Sequence, residues 1–417
     1  MSATKASPPE LTGRPATNEP GNRLVSVTVR RMANEVMPYA WGSRDGIATL
    51  QRRPASATAE AELWMGAHPN APSTLEWKGA HTALDAAIAA DPVGLLGQPC
   101  IDRFGARLPF LLKVLAAAEP LSLQVHPDDA RAELGFALEE AAGIERTAPH
   151  RSYGDPYSKP ELLVALTDFH VLQGFRPAAD AVEALVALRI DRLDPLIEAL
   201  RSGAATGAVF LRLLAWPADD RRALVDLVAS NPPSGPLGQF ITSLAASYPT
   251  DPGVVGVLLL NYLVLAPSQG LYVRPGQIHA YLRGMGVEIL GGSDNVIRCG
   301  LTSKHIALDE LTTVLGVDGV APAVIEPVAS PDGEAWPTPQ PEFALDRLRF
   351  TGSDGGARSL VAHGPTIYLC TEGRLELVDG DDVVALASGE SAFASDGAKI
   401  EVNGSGVLMR ANPGLPW

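Results

Sequence analysis

Short apolar runs broken by Gly, Pro and Asn fill the chain from about Val25 to the GFRP string at 174–177. LVSVTV near the start, then LPFLLKVL and LSLQVHPD after residue 107, predict strands joined by turns. Between Ala181 and Tyr248 the period changes. Val182, Leu185 and Leu188, then Leu196, Ile197 and Leu200, recur at helical spacing, and DDRRALVDLV and PLGQFITSLAASY repeat the style. With NPPSGP and YPTDPG as helix ends, this predicts four or five short helices acting as packing scaffold. Strand patterning returns at Ala266. A Pro-rich stretch after Val320 reads as a linker or crossover, and the remainder shows period-2 runs between Gly and Asp turns, as in a second all-β sandwich or jelly roll. Its one histidine, His363, gives no reason to expect a metal there. The expected organisation is a disordered tail over 1–22, a first β-domain from 23–178 and 265–320, a helical insertion over 179–264, and a C-terminal β-domain over 321–417.

Within the predicted strands, polar residues fall at telling places. In Leu121-Ser122-Leu123-Gln124-Val125-His126 the alternation puts Ser122, Gln124 and His126 on one face, so Gln124 and His126 can reach one ion. A solvated surface strand would alternate in the same way. The segments around His279 and Tyr281, Val287-Glu288-Ile289 and Ile297-Arg298-Cys299 carry polar or charged residues between apolar neighbours. Charges isolated in buried strands are costly unless paired or bound to a ligand, so several of them suggest a polar lumen. Glu161 opens another apolar strand, with Lys159 two residues upstream on the same face.

Charge and composition narrow the partners. A net charge of -15 argues against nucleic acid or an anionic membrane, and leaves an anionic small molecule only if a few cations are placed locally. The chain has 27 Arg but six Lys, and three of those six, Lys113, Lys159 and Lys304, lie in the suspicious segments. Arg and Lys differ in geometry and in how readily a buried pKa shifts, so retained lysines point to tasks Arg cannot perform. Three scattered cysteines suggest no disulfide framework, and fit a reducing cytoplasm. No stretch is long and apolar enough to read as a membrane span or a secretory h-region. Nothing in the chain calls for an obligate protein partner.

The strings YAWGS, AELWMGAHPNAPS, LPFLLKVL, LSLQVHPD, SKPELLVAL, GFRP and PGQIHAYLRGMGVEILGGSDNVIRCGLTSKH, in this order, resemble the type I phosphomannose isomerases over most of the chain. The resemblance implies a mainly β fold of two cupin-type jelly rolls with an α-helical insertion in the catalytic one. It implies one Zn²⁺ held by Gln124, His126, Glu161 and His279, a plausible donor set. It implies Ser122, Lys113, Lys159, Glu288, Asp294, Arg298 and Lys304 as pocket residues, and interconversion of mannose 6-phosphate and fructose 6-phosphate through an enediolate. Glu288 or Lys159 is expected to move the proton and Arg298 to stabilise negative charge. Lys304 and Ser122 are expected to hold the phosphate. An isomerase of another sugar, or a sugar-binding cupin without catalysis, are the alternatives. Members commonly carry His immediately before KPE, where this chain has Ser158. His68, His81, His150, His170, His305 and His363 are expected to be surface or hydrogen-bonded histidines. Trp41 and Trp64 should pack beneath the pocket, and Asp128 with Asp129 should form a turn.

Overall fold

The structure, a computed structural model, describes residues 29–352 and 357–416; the tail expected over 1–22 lies outside the described residues. Among the described residues the strands form two sheets of eleven strands each, joined through antiparallel pairs. The strand His279–Gly291 is the spine of the first sheet. Its second half lies between Phe110–Ala117 and Glu161–Ala165. Its first half pairs with Phe169–Phe175 and meets Leu123–Val125, which in turn pairs with Ile297–Gly300. A register shift between Tyr281 and Arg283 and a positive φ at Gly284 separate the halves. A Cβ on Gly284 would sit 2.8 Å from the Asp168 carbonyl oxygen, so glycine is what lets the strand bend there. One strand thereby contributes to both arms of the sheet.

Alternation then sorts the side chains. Every residue of Phe110–Ala117 is buried, yet Phe110, Leu112, Val114 and Ala116 enter the core shared with the second sheet, while Leu111, Leu115 and Ala117 pack elsewhere. Val287 and Ile289, like Leu162 and Val164, enter that shared core too. Leu123, Val125, Ile278, Ala280, Ile297 and Cys299 sink instead into the core built by the helices. The first sheet is therefore clasped on its outer face by two apolar layers. Its polar residues are left on the inner face.

Helices Ala178–Val186, Asp194–Arg201, Thr206–Leu214, Ala218–Ser230 and Pro236–Ser247 form the helical layer. Strand structure returns at Leu260–Leu265, earlier than the expected Ala266. The apolar run there is ambiguous by periodicity alone, and pairing with Phe169–Phe175 decides it. Helices Leu84–Ala90, Pro92–Leu96, Gln98–Phe104 and Asp129–Ala141 also occupy a region expected to hold only strands and turns. Asp128 is the N-cap of the last, accepting from the Arg131 amide at 2.8 Å. The Asp128–Asp129 pair is thus a helix start, not a turn.

The two sheets interlock. Val29–Ala33 pairs with Ser391–Ala394 and with Thr74–Trp77, so N-terminal strands complete the C-terminal sheet. Val324–Ile325 pairs with Gly270–Val273 in the first sheet. Among the described residues no helix is long and apolar enough to cross a membrane.

Candidate metal centre and active-site cleft

Glu161 and His279 each open a strand and His126 directly follows the strand Leu123–Val125, and their donor atoms lie within 4.8 Å of one another in a buried cluster. The Glu161 carboxylate receives both rings: Oε1 is 3.2 Å from His126 Nε2, and Oε2 is 3.3 Å from His279 Nε2. The opposite nitrogens are taken up by main chain. His126 Nδ1 donates to the Asn295 carbonyl at 2.7 Å, and His279 Nδ1 to the Gln277 carbonyl at 3.1 Å. A carbonyl can only accept, so Nδ1 carries a proton in each ring, and a ring holding no second proton presents a lone pair at Nε2. Both Nε2 atoms are buried and make no hydrogen bond. Burial, with the Lys159 ammonium next in importance, pulls His126 down to about 4, so its ring is neutral at neutral pH.

Lone pairs facing a carboxylate at this range repel unless a cation lies between them. Two bonds of about 2.1 Å at a tetrahedral angle set their donors roughly 3.4 Å apart, close to the spacing observed. Two imidazoles and one carboxylate with main-chain partners behind them fit a Zn²⁺ ion. Burial alone would raise the Glu161 pKa, but the Lys159 ammonium, 3.1 Å away, acting together with His126 and His279, holds the carboxyl well below its usual range. Gln124 stands in register opposite His279 on one side and Arg298 on the other.

A second buried group lies on the other arm of the sheet. Lys113 is in register with Glu288 and with Trp64. Its ammonium is 3.4 Å from Glu62 and 3.7 Å from Glu288. Burial works to neutralise Lys113, but these carboxylates prevail and raise its pKa. Trp64 donates its indole N–H to Glu62 at 2.6 Å. Burial, and then repulsion by Glu161, push Glu288 up to about 7. Tyr281, fully buried, donates to Glu161 at 3.4 Å.

Of these residues Glu62, Trp64, Lys113 and Gln124 line a cleft of about 750 Å³, together with Ser122, Asp294, Arg298 and Lys304 among others. Lys304 is pulled below the usual lysine range chiefly by the charge of Arg298, and Arg298 itself is lowered by burial. Two cations that repel one another across a cleft make a receptacle for an anion. Asp294 is held by His68, at 3.1 Å, and by Asn70, at 3.2 Å.

Residues 29–178 match the family described as phosphomannose isomerase type I, catalytic domain. The mannose-6-phosphate isomerase of Salmonella typhimurium is 36% identical over 396 residues, covering 92% of this chain and 99% of that protein. The chain belongs to the type I phosphomannose isomerases. The Escherichia coli K12 mannose-6-phosphate isomerase is similar to this member of the family at 35% identity, again over 92% of the chain. A crystal structure of a zinc-bound mannose 6-phosphate isomerase matches with a TM-score of 0.85 and 34% identity, covering 93% of this chain and all of that one.

In this phosphomannose isomerase the residues singled out in the sequence separate into two layers. Ser122, Gln124, Lys113, Asp294, Arg298 and Lys304 line the cleft. His126, Glu161, His279 and Glu288 are buried, and Lys159 reaches Glu161. Ser158 donates its hydroxyl to Asp129 at 2.5 Å, tying the strand entry to the start of helix Asp129–Ala141. Trp41 and Trp64 help line the cleft, where the sequence suggested packing beneath it. Glu62 went unnoticed, although Ala61-Glu62-Leu63 bears the same mark as Val287-Glu288-Ile289: one charge between apolar neighbours. Ser243, Leu244, Ser247 and Tyr248 of the helical layer also border the cleft, so the insertion is more than scaffold. A helical period reports only its own apolar face and gives no sign of that proximity.

Proposed function

We propose that this protein is a zinc-dependent aldose–ketose isomerase that interconverts mannose 6-phosphate and fructose 6-phosphate. The observation that carries the reading is the pair of unpartnered Nε2 atoms facing the Glu161 carboxylate beside a cleft with two mutually repelling cations. His126, Glu161 and His279 would hold the zinc, with the Gln124 amide oxygen as fourth ligand. Bound zinc supplies positive charge that polarises the sugar oxygens. Lys304 and Ser122 hold the phosphate, which relieves the repulsion between Lys304 and Arg298. Arg298 stabilises negative charge as the enediolate develops.

Proton transfer falls to Glu288. With a pKa near 7 it is substantially ionised at neutral pH, and still basic enough to take the C2 proton of the aldose and return it to C1. Lys113, between Glu62 and Glu288, orients that carboxylate. Lys159 is engaged with Glu161 and serves to keep the metal-binding carboxylate ionised. Ser158, in the position where relatives carry His, is bonded to Asp129 and takes no part in the proton transfer. The deciding assay follows turnover of mannose 6-phosphate and of free mannose by the purified protein, before and after chelation. Chelator-sensitive turnover of the phosphorylated sugar supports the reading. A zinc-loaded protein inert towards both sugars would sink it.

A further inference from the structure

Asn295 is fully buried beside the cleft, and every hydrogen-bonding capacity of its carboxamide is used on one short segment. Its Oδ1 accepts from the amides of Gly154, at 2.9 Å, and Asp155, at 3.4 Å. Its Nδ2 donates to the carbonyls of Asp155 and Tyr157, each at 2.8 Å. Only Ser158, Lys159 and Pro160 separate Tyr157 from Glu161. The main-chain carbonyl of the same Asn295 accepts the Nδ1–H of His126 at 2.7 Å. Ser293 reinforces the joint: its hydroxyl donates to the Tyr157 carbonyl at 3.0 Å and accepts from the Asn295 amide at 3.1 Å.

We infer that Asn295 is a positioning residue for the metal centre, setting the place of Glu161 relative to His126. The two ligands belong to separate segments of the chain, and Glu161 is not next to His126 in any strand register of the sheet. The carboxamide on one side and the carbonyl on the other form a direct link between them. Hydrogen-bonded partners behind the ligands fix ligand orientation, and losing one typically lowers metal affinity about 10–100-fold. The residue must be Asn. Aspartate has the same shape, but would turn an acceptor-only oxygen toward two carbonyls and bury a charge among main-chain groups.

The inference rests on the zinc site proposed above, and the experiment separates the two. Zinc Kd is measured by chelator competition for the unaltered protein, Asn295→Asp and Asn261→Asp, alongside thermal unfolding of the metal-free forms. Asn261 is the control: its amide also donates to several carbonyls, those of Gln173, Gly174, Phe175 and Val320, with no bond to a ligand residue. The expected result is a 10–100-fold weaker zinc Kd for Asn295→Asp, against a change within about twofold for Asn261→Asp, even where the two lose similar thermal stability. Equal zinc affinity in all three proteins would overturn the inference and leave the metal site standing. Failure of the unaltered protein to bind zinc would overturn both. Should Asn295→Asp not fold, Asn295→Ser removes the carboxamide and keeps the carbonyl to His126. A Kd raised at least tenfold then supports the link, and one within twofold overturns it.

Discussion

Two charge groups in this protein begin alike and end differently. In the C-terminal sheet, Arg410 and Asp346 stand opposite one another in register, and Arg410 bonds Asp346 at 2.6 Å and Asp332 at 2.8 Å. Arg358 adds a third contact, to Asp332 at 3.0 Å. Cation and carboxylate alternate, and the group needs nothing further. In the first sheet, Lys113 and Glu288 also face one another in register, but around them Glu62, Glu161, His126 and His279 leave the account open: two imidazole lone pairs point at a carboxylate. The first-sheet group is the more deeply buried of the two, but depth alone does not make an ion group functional. What distinguishes them is whether the group satisfies itself.

The sharpest way to break that comparison is Glu161→Ala. Zinc content measured by mass spectrometry should collapse, with affinity lost by more than about 100-fold, because a ligand matters more than the outer partners that already cost 10–100-fold. Retained stoichiometric zinc would place the metal elsewhere. Next comes Glu288→Gln, for which kcat/KM should fall about 10²–10⁴-fold with zinc content unchanged. Near-normal turnover would remove Glu288 as the base. Arg410→Ala should do the reverse: a loss of about 1.5–3 kcal/mol in urea unfolding, from charged hydrogen bonds, with zinc content and kcat unaltered. The smallest effect is expected at Lys304→Met, a rise in KM for mannose 6-phosphate of about tenfold, the lower end for one charged hydrogen bond.

A pH series refines the same contrast. Burial and Glu161 raise Glu288 to about 7 in the fold, whereas an unfolded glutamate titrates near 4.3. The folded protein therefore keeps a proton that the unfolded chain has released. Glu288 makes stability decline as pH climbs from about 4.3 to about 7, with no further change above. Activity should move the opposite way, rising along an acid limb as the base ionises. Both dependences should vanish together in Glu288→Gln, and a rising limb that survives that substitution belongs to another group.

Much of the site could be read from the chain. Strict alternation placed Gln124, His279, Glu288 and Arg298 among apolar neighbours, and the same test applied to Glu62 would have found it. The sparse lysines were informative too, since Lys113, Lys159 and Lys304 all gather at the site. Asn295 left no such trace. It sits between Asp294 and Val296 in a short connection, and its importance comes from main-chain groups of a segment that folding brings beside it. The helices over 84–104 were hidden because their apolar residues answer to tertiary contacts, and their Pro and Gly look like turn formers. Relations across the sheet belong to the register, and register is not written in any one segment.

The pairing of Val29–Ala33 with Ser391–Ala394 bears on how the chain is made. The Asn34–Ser391 hydrogen bond joins residues 357 positions apart, so the strand Val29–Ala33 leaves the ribosome long before its partner has been made. Until then its edge is open, and so is the face of the core shared by both sheets. Closure of so distant a contact is slow, and the waiting strand is a place for misassembly. Maturation of this enzyme is thereby tied to synthesis through Ser391–Ala394, and its first sheet is a poor candidate for expression alone.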